Sequence, residues 1–244
     1  IIPLRSIYYM KKLFFLIFIL TALTSCSNSI YNKNTPFFKG TFLKIEKIVE
    51  LTACNPKNPR LCLTKKFSST ASSFLVAHKE DKSYLITSAH VCYTDYGPLQ
   101  KLPNFKAVEQ FYGIDLNSKK YAYEVVAIDI ANDLCLVSTK KIDAPVYKIA
   151  NRLPKLGDMV YNIAAPKDVY AKNMVPLFNG YYSGTAHERS IFTLPAYGGS
   201  SGSPILNKRG EVVGVVSAVT RDFYNIVIAS TLPSIKELIK NGIP

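Results

Sequence analysis

Three residue types that together can perform nucleophilic chemistry occur in short, separated stretches of this chain. The stretch GGSSGSPIL, residues 198–206, holds three serines among glycines and ends in a proline and apolar residues. His90 lies at the end of an apolar run in LITSAHVC, and Asp133 comes directly before another apolar run in NDLCLV. A serine hydroxyl becomes a nucleophile when an imidazole takes its proton and a carboxylate orients that imidazole. The three stretches together can therefore support acyl transfer, although a Gly/Ser run alone is more often a linker or a turn.

Each candidate has competitors. The chain has 3 histidines, and the other two lie in charged stretches typical of turns between strands: His78 in AHKEDKS, where it is most simply solvated, and His187 in GTAHERS. Asp129 lies four residues before Asp133 and is more simply explained by turn formation. Asp133 is favoured because a carboxylate at the mouth of a buried strand can reach the ring N–H of a neighbouring imidazole.

From about residue 40 the chain consists of short apolar runs separated by turn residues. The runs, such as SYLITSA and GEVVGVVSAV, are rich in Val, Ile, Tyr, Phe and Thr, which favour strands. Turn signals recur at intervals of about 8–15 residues, which predicts an all-β sandwich or barrel. We find no internal repeat and no second zone of composition.

One convincing helix follows near the end, in PSIKELIKNG. Pro233 can begin it, Ile235, Leu238 and Ile239 form one apolar face, and Gly242 can end it.

The first residues have the organisation of an export signal. Met10 is followed by two lysines, by the apolar run LFFLIFILTAL and by the small residues TSC. This run is shorter than the roughly 20 residues that a membrane-spanning helix needs. We interpret residues 1–26 as a signal peptide, with Met10 as the true start and residues 1–9 as upstream sequence. The alternative is a short buried helix.

The signal ends in LTSC, which resembles the bacterial lipobox. That resemblance implies that Cys26 is lipidated and becomes the new N-terminus, so that the protein is anchored to a membrane of the cell envelope. The outer membrane is favoured because Ser27 follows the cysteine in place of a retention aspartate. The polar segment 27–39 is interpreted as a tether.

The formal net charge is +13. Such a charge favours acidic partners and anionic surfaces. The basic residues are scattered and no nucleic-acid motif accompanies them, so nucleic-acid binding is not predicted. Weak attraction to anionic lipid fits the charge better.

Four cysteines remain beyond the lipobox, and export makes disulfides possible. Cys54 and Cys62 flank CNPKNPRLC, which a disulfide could close. Cys92 and Cys135 each lie two residues after a candidate catalytic position, so they could also pair, or remain buried thiols. Four cysteines allow three pairings, and the sequence does not choose among them.

Taken in order, SAH, NDLCLV and GSSGSP resemble the three signature segments of chymotrypsin-like serine proteases. The match is nearer to the bacterial trypsin-like branch that includes the HtrA (Deg) protease domains, and it extends over residues 40–242. It implies an all-β fold of two packed six-stranded antiparallel β-barrels, at about 40–148 and 149–232, with a C-terminal helix at about 233–242. The active site would lie between the barrels. HtrA enzymes carry a PDZ domain after this unit, and none is recognised here.

The resemblance also implies roles for individual residues. Residues 199–204 align with the family's G-x-S-G-G-P, so Ser201 is the nucleophile, with His90 as base and Asp133 as the orienting acid. The N–H groups of Gly199 and Ser201 would form the oxyanion hole. Ser200 and Ser203 carry the competing hydroxyls and are assigned to turn structure. Ser203 replaces a family glycine, as it does in staphylococcal glutamyl endopeptidases.

Two further positions follow from the resemblance. Ser217 would lie on the strand that lines the substrate cleft, and Pro195 near the base of the S1 pocket. Pro195 is not an acid, so cleavage after Arg or Lys is not expected. A small or aliphatic P1 residue is expected instead.

The sequence thus predicts a membrane-anchored serine endopeptidase that acts on protein or peptide substrates and needs no cofactor or metal. Two alternatives stay open at this point. One is a catalytically silent binding module on the same fold, and the other is a structural envelope lipoprotein in which the motifs are coincidental.

Overall fold

The computed structural model describes residues 41–167, 169–220, 223 and 225–244. The signal peptide, Cys26 and the tether lie outside the described residues. Strands dominate the rest, as predicted, and they form two antiparallel sheets followed by a C-terminal helix.

The first sheet contains seven strands in the hydrogen-bonded order β5-β4-β1-β2-β3-β7-β6. Their bounds are β1 Phe42–Asn55, β2 Asn58–Lys79, β3 Lys82–Thr87, β4 Lys106–Ile114, β5 Lys120–Ala122, β6 Glu124–Asp129 and β7 Leu134–Lys140.

The two end strands of this sheet, β5 and β6, are separated in the chain only by Tyr123. The sheet therefore curls until its two ends meet at that residue. We predicted six strands for the first barrel, and the structure has seven because the strand is interrupted at Tyr123, between β5 and β6.

The second sheet is a closed six-stranded barrel in the order β10-β13-β12-β11-β8-β9, with β9 pairing back to β10. Its strands are β8 Met159–Ile163, β9 Leu177–Ala186, β10 Arg189–Thr193, β11 Pro204–Leu206, β12 Val212–Val219 and β13 Ile226–Ser230. This barrel agrees with the prediction.

Two short helical turns follow β3, and one longer helix closes the fold. Helix α1 covers Ala89–Cys92, a 3-10 helix covers Gly97–Lys101, and helix α2 covers Leu232–Gly242. The α2 helix begins one residue before the predicted Pro233, and its N-cap Thr231 accepts a hydrogen bond from the backbone of Ser234.

Each barrel has its own apolar interior, and a third cluster joins them. Leu75, Leu85 and Val137 are fully buried inside the first barrel, as are Phe192 and Val213 inside the second. The joining cluster combines residues of both barrels and of α2, including Phe74, Leu136, Val215 and Ile235. Burial of this shared surface fixes the two barrels and the terminal helix against one another.

The hairpin of β1 and β2 extends well beyond the first barrel. Every residue from 55 to 69 is exposed, and the disulfide between Cys54 and Cys62 lies near the tip. We call residues 49–69 the hairpin arm. The second disulfide joins Cys92 to Cys135. The structure thus selects one of the three pairings that the sequence left open.

Candidate active site

His90 lies on α1, directly after β3, and its ring is bound by a carboxylate. Its Nδ1 lies 2.9 Å and 3.0 Å from the two carboxylate oxygens of Asp133, and its backbone N–H donates to the same carboxylate at 3.0 Å. Because an ionised carboxylate only accepts hydrogen bonds, Nδ1 carries the proton and Nε2 is the basic nitrogen. Nε2 forms no hydrogen bond with any residue that the structure describes, and the side chain is about half exposed.

Asp133 ends the turn between β6 and β7, with a positive φ of 53°. Its carboxylate also accepts a hydrogen bond from the hydroxyl of Ser217 on β12. Burial raises the pKa of Asp133, but the hydrogen bonds from His90 and Ser217 outweigh it, so the pKa lies below its ordinary value. The carboxylate is therefore ionised at neutral pH.

The second barrel also holds the turn that carries Asp133. The guanidinium of Arg189 donates to the carbonyls of Ala131 and Asn132 at 2.6 and 2.7 Å. The hydroxyl of Ser230 donates to the same carbonyl of Asn132 at 2.8 Å. Neither residue was singled out from the sequence, since both lie about 60 to 100 residues away along the chain.

The three serines of the Gly/Ser stretch have different surroundings. Ser200 and Ser203 are buried, and their hydroxyls accept hydrogen bonds from the backbone N–H of Tyr197 and from the amide of Asn162. Ser201 is partly exposed, and its hydroxyl makes no hydrogen bond to the described part of the chain, His90 included. Ser201 is thus the one serine of this stretch whose hydroxyl is not engaged in holding the loop.

The backbone N–H groups of the same loop also differ in whether they have a hydrogen-bond acceptor. Those of Ser200, Gly202 and Ser203 donate to backbone carbonyls at 2.8–3.0 Å. Those of Gly199 and Ser201 donate to no acceptor among residues 41–167, 169–220, 223 and 225–244. Two unpaired donors that lie two residues apart on one loop are of the kind that can bind a developing oxyanion.

The conformation of the loop requires glycine at two positions. Gly199 has φ +99°, and a Cβ there would lie 2.4 Å from the carbonyl oxygen of Ala165. Gly202 has φ +82°, and a Cβ there would lie 2.3 Å from the carbonyl oxygen of Ser72 and 2.9 Å from the backbone nitrogen of Ser88. The residue after Ser201 therefore touches the backbone two residues before His90.

A buried serine of the first barrel connects these parts. Ser72 on β2 donates through its hydroxyl to the carbonyl of Gly199 at 2.8 Å, and through its backbone N–H to the carbonyl of Ser201 at 2.8 Å. Its hydroxyl also accepts from the backbone N–H of Ala165 at 3.0 Å. The sequence signal for Ser72 was only a polar residue inside an apolar run, TASSFLVA.

The remaining predicted site residues lie as follows. Ser217 is half-buried, and its hydroxyl is held by Asp133 as described. Pro195 comes shortly after β10, exposed between the buried Leu194 and Ala196.

The competing residues have structural roles. Asp129 accepts two hydrogen bonds from Asn132 and closes the turn, and His187 lies in the two-residue turn between β9 and β10. His78 is exposed, as expected, but it is not a turn residue. It lies on β2, and its ring nitrogens bond the hydroxyl of Ser83 and the carbonyl of Ala144 at 2.9 and 2.8 Å.

The described residues contain neither a metal-binding cluster nor a membrane-spanning helix. No group of three or more His, Cys, Asp or Glu residues is arranged to hold a metal ion in this part of the chain. Within the same residues, no helix has the length and apolar character required to cross a membrane.

Two barrels joined through a shared core, with a His–Asp pair at their junction, define the chymotrypsin-like fold. A solved structure agrees with it: the serine endoprotease from Yersinia pestis matches with a TM-score of 0.58 and 19% identity over 80% of this chain. The chain spans 62% of the length of that structure. Comparison with curated protein sequences finds no match.

Residues 71–215 match the family model of the trypsin-like peptidase domain, and the chain belongs to this family. The matched range includes His90, Asp133 and Ser201. Residues 10–27 match the prokaryotic membrane lipoprotein lipid attachment site, which includes Cys26. The protein is therefore a lipid-anchored member of the trypsin-like family in the cell envelope.

Proposed function

We propose that this protein is a membrane-anchored serine endopeptidase in which His90, Asp133 and Ser201 form the catalytic triad. The observation that carries the proposal is the pairing of His90 Nδ1 with the Asp133 carboxylate, which leaves Nε2 as a free base. The unengaged hydroxyl of Ser201, on a loop that touches the backbone beside His90, supports the choice of nucleophile.

In the first half of the reaction, Ser201 Oγ attacks the carbonyl carbon of the scissile peptide bond. His90 Nε2 takes the hydroxyl proton, and the ionised Asp133 stabilises the imidazolium that results. Apo structures often lack the serine–histidine hydrogen bond, which forms in the complex with substrate. Burial of Asp133 and its second hydrogen bond from Ser217 keep the carboxylate directed at the imidazole.

The N–H groups of Gly199 and Ser201 bind the oxyanion of the tetrahedral intermediate. They suit this role because neither has an internal acceptor, so no hydrogen bond has to be broken first. His90 then gives its proton to the leaving amine, and an acyl-enzyme on Ser201 remains. A water molecule, activated by His90 in the same way, hydrolyses the acyl-enzyme and restores the free serine.

The substrate class is proteins or peptides of the envelope compartment, with the enzyme held on a membrane, for which we favour the outer membrane, through Cys26. A small or aliphatic P1 residue follows from Pro195, which brings no charge to the position where trypsin-type enzymes carry an acid. Ser217 would have two roles. Its hydroxyl binds Asp133, and the strand that carries it would line the substrate cleft.

A fluorophosphonate probe and a peptide-cleavage assay test the proposal on the full chain. The parent protein should react covalently with the probe and cleave peptides. Ser201→Ala should lose probe labelling and lower turnover by about 10⁴-fold or more, because triad members act as a unit. The matched controls Ser200→Ala and Ser203→Ala remove buried hydroxyls of the same loop and should keep labelling. A parent protein that neither labels nor cleaves, or a Ser201→Ala protein that still cleaves, would overturn the proposal.

A further inference from the structure

An apolar groove of about 710 Å³ is lined by residues of the first-barrel part of the chain, and no residue of the proposed triad lines it. One wall is a face of the hairpin arm, and the other is the segment around the 3-10 helix. The apolar side chains that form most of it are Leu51, Leu61, Leu63, Phe67, Leu99 and Phe105.

These side chains are unusually exposed for their type. Leu61 and Leu63 are each 62% exposed, Phe67 is 51% exposed and Leu99 45%. The strand register places them together, because Ala53 pairs with Leu63 and residues two apart on a strand share a face. The Cys54–Cys62 disulfide joins the two strands at the tip, so the apolar face is a fixed surface and not a collapsed loop.

The surroundings of the groove are cationic. Glu50, Asp95 and Glu109 are the acids in residues 48–68 and 95–109, and Glu109 is neutralised by the buried Lys47 at 2.8 Å. The cations of the same two segments are Lys57, Arg60, Lys65, Lys66, Lys101 and Lys106, of which Lys65 lines the groove itself.

We propose that the hairpin arm is a second membrane contact and lays its apolar face on an anionic lipid surface. Segments that bind the membrane interface combine exposed leucine and phenylalanine side chains with nearby lysine and arginine, as this arm does. A second copy of the chain fits less well, since self-association through this face would bring two cationic rims together.

The lipid attachment site brings the arm within reach of that surface. Only 14 residues separate Cys26 from Thr41, where the described fold begins. A chain of that length spans at most about 50 Å. Anchoring at Cys26 therefore keeps the arm at a high effective concentration near the bilayer, so that even a weak contact is populated.

The chain has no tryptophan, so one introduced tryptophan reports on this surface alone. We would place it at Leu63 in the groove (Leu63→Trp) and, as a matched control, at Leu156 on the second-barrel side, which is 74% exposed (Leu156→Trp). Each full-length protein, with its anchor, is reconstituted in phosphatidylglycerol vesicles and in phosphatidylcholine vesicles. The anchor binds both lipids, so the comparison isolates the arm.

Leu63→Trp should show blue-shifted emission and quenching by brominated acyl chains in phosphatidylglycerol, and little of either in phosphatidylcholine. Leu156→Trp should show neither. Adding Lys65→Gln, Lys66→Gln and Lys101→Gln to Leu63→Trp should reduce its quenching to the phosphatidylcholine level.

Other results would overturn the proposal. Equal emission of Leu63→Trp in the two lipids would show that the arm does not bind an anionic lipid surface in preference to a neutral one. A blue shift without vesicles that grows with protein concentration identifies a second copy, and one that requires an added peptide identifies a protein partner. The proposal does not rest on the proposed protease activity, and repeating the measurement in Ser201→Ala keeps the two questions separate. Thermal unfolding of each variant checks that it is folded.

Discussion

The hydroxyl of Ser72 in the first barrel donates a 2.8 Å hydrogen bond to the carbonyl of Gly199 in the second. The backbone N–H of Ser72 donates to the carbonyl of Ser201, also at 2.8 Å. A single buried residue thus fixes the peptide groups that follow Gly199 and Ser201. The peptide group that carries the unpaired N–H of Ser201 lies between these two fixed groups, and the one that carries the N–H of Gly199 directly precedes the first. The first barrel therefore positions the proposed oxyanion hole of the second.

Replacing this hydroxyl should impair turnover more than binding. Ser72→Ala leaves the carbonyl of Gly199 and the N–H of Ala165 without their partner, which costs about 1–3 kcal/mol of stability. A less firmly held loop should misplace the N–H groups of Gly199 and Ser201 and lower kcat for peptide cleavage by about 10–100-fold with KM nearly unchanged. Ser68→Ala, on an exposed position of the same strand, is the control and should match the parent. An unchanged kcat in Ser72→Ala would show that the loop holds its own geometry.

The hydrogen bond from Ser217 to Asp133 predicts a pH-dependent stability. The folded pKa of Asp133 is lowered, so the contribution of this carboxylate is present above its unfolded pKa of about 3.9 and is lost as the pH falls through the folded pKa. Ser217→Ala removes one cause of the lowering. The variant should be less stable than the parent by about 1–2 kcal/mol at neutral pH, and the difference should shrink below about pH 4.

Urea unfolding of both proteins at several pH values measures this difference. Ser183→Ala is the matched control, because the Ser183 hydroxyl bonds only the hydroxyl of Thr193, on the exposed surface. Its effect should be small and independent of pH over the same range. A Ser217→Ala deficit that persists unchanged in acid would mean that the hydroxyl stabilises the fold by packing and not through the ionised carboxylate.

The parts that the sequence predicted are those with local signals. Alternating apolar runs identified most strands, and the Pro233-to-Gly242 pattern located α2 within one residue. His90, Asp133 and the Gly/Ser stretch were recognised because each motif is short and self-contained. In the structure, the hydrogen bonds between His90 and Asp133 bring the first two of these motifs together.

The parts that were missed depend on contacts between distant segments. Ser72, Arg189 and Ser230 act across the two barrels, and no local pattern records which carbonyl each will meet. The hydrogen bonds of His78 were missed because one partner, the carbonyl of Ala144, comes 66 residues later in the chain. The exposed length of the β1–β2 arm was also not predicted, since its alternating residues resemble those of a buried strand.

The lipid attachment site predicts a simple fractionation result. Cys26→Ser removes the thiol that carries the lipid, and without the acyl chains membrane binding should be largely lost. The variant should either leave the membrane fraction or accumulate as a heavier, unprocessed precursor. Mass spectrometry of the mature N-terminus and fractionation at high salt measure both outcomes, the salt serving to weaken any binding through the cationic arm. Unchanged mass and unchanged membrane partition would rule out Cys26 as the anchor.

The disulfide between Cys92 and Cys135 should contribute to catalysis as well as stability, whereas the one at the arm should not affect catalysis. Cys92 lies two residues after His90 and Cys135 two residues after Asp133, so the disulfide joins the same two segments that the His90–Asp133 hydrogen bonds join. It closes a separation of 43 residues, and chain entropy alone gives about 4 kcal/mol of stability for such a loop. The double variant Cys92→Ala with Cys135→Ala should lose roughly that amount of stability. Its kcat should fall about tenfold, because the proposed base and acid are then held only by hydrogen bonds.

The control is the double variant Cys54→Ala with Cys62→Ala. It opens a separation of 8 residues and should lose about 2–3 kcal/mol of stability, with kcat intact. Denaturant unfolding and peptide cleavage on the same preparations separate the two effects. Equal kcat values for the two double variants would show that the Cys92–Cys135 bond only stabilises the first barrel.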